Sequence, residues 1–214
     1  MLNGGFFGLA SGLVSVTALG VTFGQSRVEY FPPEAEQASI ICSNWGRTRR
    51  TVAVDEFQAG WFGRHLSVAE EPSLYLASRL PEPERPHILR FDWLRSFDPA
   101  ITVRVTFDSQ GGATLVAKEL SGAGGYSSTE ISRRVERVLT GLELDGLHES
   151  LSEQPFDGPA ATCDFGLDGA QWVLEEVSGG GYRVTNQWSP EGGAVRGVGL
   201  YLLGLTGWDV DPVY

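Results

Sequence analysis

The chain has 214 residues, 42% of them hydrophobic, six Trp and a formal net charge of −11, enough length and apolar content for one sizeable folded domain. That composition excludes a disordered chain, and the acidity excludes a phosphate backbone as partner, so no nucleic acid is expected.

The first 26 residues carry no charged side chain, and Phe6 to Phe23 form an uncharged run of 18. Such a run fits the core of a signal peptide and is at the short limit of a membrane span. Ala18-Leu19-Gly20 offers a small-x-small cleavage site, but a basic n-region is missing. Residues 1–24 are therefore expected to be a signal peptide or membrane anchor, with an ordinary buried strand or helix as the alternative. Membrane contact is expected only through this segment. Cys42 and Cys163 are the two cysteines. In an exported chain they can form one disulfide closing a long loop; two buried free thiols are the alternative.

Residues 25–86 read as an irregular segment, punctuated by Phe31-Pro32-Pro33 and by prolines 81, 83 and 86. Within it, residues 73–80 suit a short helix between Pro72 and Pro81, and residues 51–54 suit a strand. Residues 87–214 read as the main α+β domain. Leu89, Phe91, Trp93 and Phe97 alternate with polar residues. Ile101, Val103, Val105 and Phe107 then mark a clean strand, and residues 113–120 its return. Residues 129–139 fit a strand better than a helix, because Thr140-Gly141-Leu142-Glu143 is a capping box that starts a helix running to about residue 152. Leu139 and Leu144 are placed to form its hydrophobic staple.

A hairpin follows over residues 171–177 and 182–188, leading to Ser189 as a helix cap and Pro190 as a first helical residue. Val195, Val198, Leu202 and Leu205 recur at helical spacing in a segment that is apolar nearly all round, so this helix is expected to be buried. The fold class is then α+β: an antiparallel sheet of about six strands, with the mid-chain helix and the C-terminal helix packed on one face.

Catalytic signatures are sparse. His65, His87 and His148 sit in no metal spacing, and no GxSxG, P-loop or GxGxxG occurs, so no metal or cofactor is expected. Glu175 and Glu176 are neighbours in a strand and point to opposite faces. Asp168 and Glu175 can converge as a carboxylate pair if the intervening loop folds back. The structural alternative has Asp168 making a turn and Glu175 pairing with an Arg across the sheet. Arg90, Arg95, Arg104, Lys118, Arg133, Arg134 and Arg137 concentrate positive charge on the central sheet. Either they form a salt-bridge ladder with Glu119, Glu130 and Glu136, or they make an anion-binding face, with Trp172 and Trp188 as flat anchors.

Phe91-Asp92-Trp93-Leu94-Arg95-Ser96-Phe97, Gly124-Gly125-Tyr126, Gly166-Leu167-Asp168-Gly169-Ala170-Gln171-Trp172 and Trp188-Ser189-Pro190 together resemble a family of uncharacterised bacterial proteins that often carry an N-terminal export signal. The likeness spans about residues 73–207. In that pattern a glycine often follows the Glu and an Arg often precedes the Trp; Glu176 and Gln187 stand there in this chain. The resemblance implies an export route and no chemistry.

Three functions remain open from sequence. The first is an exported, non-catalytic envelope module that binds a protein or a wall component. The second is a hydrolase using Asp168 and Glu175, with an Arg such as Arg95 holding an anionic substrate. The third is a cytosolic interaction or immunity-type protein. The candidate binding residues are Arg95, Arg104, Asp168, Trp172, Glu175 and Trp188.

Overall fold

The computed structural model describes residues 1, 29–44, 46–124, 128–164, 166, 168–211 and 213. The expected signal peptide or anchor at residues 1–24 lies, Met1 aside, outside the described residues. No described helix is long and apolar enough to cross a membrane.

Six strands form the central sheet: β3 (His87–Arg95), β4 (Ile101–Phe107), β5 (Ala113–Leu120), β6 (Ile131–Val138), β7 (Ala170–Ser178) and β8 (Gly181–Trp188). β1 and β2 belong to the N-terminal segment and are placed below. The spatial order is β6-β5-β4-β3-β7-β8, antiparallel throughout. Residues 129–139 thus contain the expected strand, and the capping box opens helix α3 (Gly141–Ser152) where it was read. The Thr140 side chain accepts from Glu143 N, and Glu143 accepts from Thr140 N. Leu139 and Leu144 are both buried.

Helix α4 (Ala194–Leu205) packs with α3 on one face of the sheet. Leu89, Phe91, Trp93, Trp172 and Leu174 meet Leu147, Val198 and Leu202 there in one apolar core. Gly199 lets α4 approach: a Cβ at that position would come within 2.7 Å of the Trp172 ring and 2.9 Å of Phe91. The expected start of α4 needs correction. Ser189 does not cap it; the helix begins at Ala194, with Gly193 as its N-cap. Ser189 instead closes the hairpin, since its N donates to Ala170 O and its Oγ accepts from Ala170 N, both at 2.8 Å.

The other face is covered by the stretch expected to be irregular. Residues 25–86 carry a hairpin, β1 (Ser39–Asn44) with β2 (Arg47–Val52), and two helices, α1 (Glu56–Val68) and α2 (Leu74–Ala77). Asp55 and Gln58 form a reciprocal capping box that starts α1. Phe31, Phe62 and Leu66 then pack against Leu94 and Val173 of the sheet. The sheet is therefore sandwiched, which explains why β3 is buried on both faces and its alternation in the sequence is blurred.

Candidate functional site

On the face covered by α1 and α2, the sheet carries buried charge beside hydrocarbon. Arg90 is fully buried. Its Nε and Nη2 donate to Glu175 Oε2 at 2.9 and 2.5 Å, its Nη1 donates to Pro72 O at 2.7 Å, and Asp92 Oδ2 lies 3.2 Å from Nε. Glu175 Oε1 accepts from the Tyr182 hydroxyl at 2.6 Å, and Asp92 Oδ1 accepts from Thr102 at 2.7 Å. Beside them the buried Glu71 accepts from Arg104 and Lys118, both at 2.7 Å. Burial pushes the Asp92 carboxyl up to about 7, against the pull of Arg90 and with the push of the Glu175 charge. Burial, then the charge of Glu175, raises the Tyr182 phenol well above its ordinary value. Asp92 Oδ2 makes no hydrogen bond beyond its ion-pair approach to Arg90, and no member of the network lines the cleft described next. Such a cluster holds a sheet in register.

The cleft lies at the other end of this face. Strand pairing in the hairpin sets Asn44 opposite Arg47, Cys42 opposite Arg49 and Ile40 opposite Thr51, so these residues share one side of the ribbon. Cys42 is joined to Cys163 by a disulfide with Cα atoms 5.4 Å apart, and Asn44 Nδ2 donates to Cys163 O at 3.3 Å. Asn186 of β8 donates from Nδ2 to Ala53 O at 2.8 Å, tying the hairpin's exit to the sheet. Between hairpin and sheet stands a cavity of about 920 Å³, lined among others by Arg47, Arg49, Arg50, Gln171, Asn186 and Trp188. Of its three acids, Asp55 is committed to Gln58 N at the start of α1, Glu34 accepts from Glu56 N, and Asp164 is exposed.

The Trp188 indole forms one wall. A Cβ at Gly166 or Gly169 would come within 2.6 or 2.8 Å of it, so both glycines are required by that indole. Trp188 pairs with Gln171 and Trp172 pairs with Gln187, which puts the two indoles on opposite faces of the sheet.

The six candidate residues are therefore dispersed. Trp188 alone lines the cleft. Trp172 is in the apolar core. Arg95 is buried, donating to Pro99 O at 2.8 Å from Nη2 and lying over the Trp93 ring. Arg104 is held by Glu71, and Glu175 by Arg90 and Tyr182. Asp168 is exposed and does not line the cleft that Trp188 does. The cross-strand ladder reading fits in part: Arg133 meets Glu119 of β5 at 2.6 Å, but Arg134 meets Glu136 of its own strand at 2.5 Å and Arg137 reaches Glu143 of α3 at 2.7 Å. Glu176 pairs with Arg183 opposite it on β8.

Sequence reasoning passed over Arg47, Arg49, Arg50, Gln171 and Asn186. A signal was present: residues 37–54 hold three Arg and no acid in a chain of net charge −11. Among the described residues, no group of three or more His, Cys, Asp or Glu is placed to hold a metal ion. His65 is buried, meets Ser128 Oγ at 3.1 Å and is lowered by that burial below the usual imidazole range. Comparison with family models, with curated proteins and with solved structures finds no match for this chain.

Proposed function

We propose that this chain is an exported, non-catalytic binding module whose recognition surface is the cleft beside the Cys42–Cys163 disulfide. The observation that carries the reading is the cleft itself: a concave, arginine-rimmed space whose outer wall is covalently tied to the body of the fold. Its volume lies within the roughly 300–1,000 Å³ usual for ligand sites. A disulfide persists in oxidising compartments, which supports export, as does the uncharged run that opens the sequence. The crosslink also holds the hairpin in place before a ligand arrives, which lowers the ordering cost of binding.

A hydrolase built on Asp168 and Glu175 draws no support, because Glu175 is enclosed by Arg90 and Tyr182 and Asp168 stands apart from the cleft. Fractionation of the source cells, with N-terminal sequencing and maleimide labelling before and after reduction, tests the proposal. The expected result is a chain in the exported fraction that has lost its uncharged leader and whose thiols label only after reduction. A cytosolic chain beginning at Met1 with two reactive thiols overturns export and supports an intracellular interaction protein.

A further inference from the structure

The two edges of the central sheet are finished differently. At β8, Asn186 N donates to Ala160 O at 2.9 Å and Ala161 bridges to Asn186, so part of that edge is taken. At β6 no described residue continues the ladder. Leu139 N donates to Ala113 O at 2.9 Å, which fixes the phase of the β5–β6 pairing. Arg133, Val135 and Arg137 therefore turn their backbone N–H and C=O groups towards β5, and Ser132, Arg134, Glu136 and Val138 turn theirs outward. Among the described residues, the one contact to these outward groups is Arg137 Nη1 to Val138 O at 3.5 Å. The strand holds no Pro, and its register shift lies at its start, opposite Glu119 and Leu120. An edge this long and regular is a template for another strand.

Charge selects the occupant. Charged side chains on an edge ordinarily repel a second strand, but only where the signs that meet are alike. Arg134 and Glu136 stand two residues apart on one face of β6, both half-exposed and paired with each other at 2.5 Å. Two copies of β6 laid antiparallel about Val135 set Arg134 of each opposite Glu136 of the other, and Ser132 of each opposite Val138. A slip of two residues in either direction puts Arg134 against Arg134 or Glu136 against Glu136 on the axis, so a single register is favoured. On the other face Arg133 and Arg137 come opposite each other, but each is already matched, to Glu119 at 2.6 Å and to Glu143 at 2.7 Å. Arg133, Arg134 and Arg137 thus balance Glu119, Glu136 and Glu143, and the edge is neutral in a chain of net charge −11. The pairing makes about eight backbone hydrogen bonds. It also covers Val138, which is 71% exposed. An unrelated extended peptide finds the same backbone groups without the sign-matched side chains.

We infer that β6 is a self-association edge, on which a second copy of this chain pairs antiparallel to make one continuous sheet through both copies. Trp188 and Asn186 of the cleft belong to β8 at the opposite edge, so the dimer leaves both clefts open and is bivalent. The test is sedimentation velocity of the purified, oxidised chain from micromolar to near-millimolar concentration. The expected result is a concentration-dependent monomer–dimer equilibrium, weak because strand pairing alone makes a small interface. Arg134→Glu and Glu136→Arg each bring like charges together at both pairs and should weaken the dimer by about tenfold or more. Their urea midpoints should match the parent's at concentrations where the parent is monomeric. An equimolar mixture of the two variants restores opposite charge at both pairs and should dimerise, as should the swapped Arg134→Glu/Glu136→Arg chain. Amide exchange at residues 132, 134, 136 and 138 should slow on dimerisation. A parent that stays monomeric throughout overturns the inference. So does a dimer that both single variants leave intact, a mixture no more associated than its components, or protection gained in β1 and β2 instead of β6.

Discussion

The arginines of the central sheet and those of the β1–β2 hairpin belong to the same chain and do opposite things. Arg90, Arg104 and Lys118 are enclosed and matched to Glu175, Asp92 and Glu71, so their charge is consumed in holding strands and the N-terminal segment together. Arg47 and Arg50 stand exposed on a two-stranded ribbon and make no ion pair among the described residues; a disulfide and hydrogen bonds from Asn44 and Asn186 tie that ribbon to the body of the fold. The difference teaches that a cluster of like charge in a sequence is not in itself a binding face. What decides is whether folding has already supplied the counter-charge.

The comparison breaks first if the buried network proves dispensable. Glu175→Ala leaves Arg90 buried beside a single carboxylate, and should cost about 3–5 kcal/mol in urea unfolding. A loss below about 1 kcal/mol would mean that water reaches Arg90 and that the two arginine sets are alike. The crosslink comes next. Replacing both Cys42 and Cys163 with Ser releases a separation of 121 residues and should cost about 2–5 kcal/mol. Hydrogen exchange should then rise in residues 39–52 more than in β3, and uniform exchange across both regions would contradict a wall held by the disulfide.

Protonation offers a subtler probe of the same network. Asp92 is raised in the folded chain, to about 7 from an ordinary 3.8, so the folded state holds the extra proton between those values. Its contribution to stability is therefore full below about pH 4 and declines as pH rises towards 7. Asp92→Asn should flatten that decline, measured as urea midpoints across the window; a slope identical to the parent's would assign it elsewhere. Smaller still, Thr140→Ala removes the cap of α3 and should cost about 0.5–2 kcal/mol. An unchanged midpoint would show the capping box contributes nothing.

Legibility in the sequence followed the same division. From residue 87 onward the elements were readable because one face of each strand is packed on a hydrocarbon core, which writes alternation into the chain: Ile101, Val103 and Val105 are all buried. The α3 cap and the β7–β8 hairpin were readable from local chemistry. Helix α1 was obscured although its Asp55–Gln58 box was there, since Gly60 and Gly63 weaken its helical signal. The hairpin was harder. Arg47, Thr48, Arg49 and Arg50 are all exposed, so no apolar face marks the strand. The cleft was missed for the same reason, because a polar surface lacks the pattern by which strands are found. Glu71, the partner of Arg104 and Lys118, lies outside the domain that was legible, so the expected ladder was only partly right.

The central claim is that Arg47, unlike Arg90, carries a charge that the fold does not use. Urea unfolding of Arg47→Ala beside the parent tests it most directly. The account predicts midpoints that agree to within about 0.5 kcal/mol, the range of a surface change away from structural features. A loss of about 2 kcal/mol or more would show that Arg47 is a structural charge like Arg90, and would contradict the account.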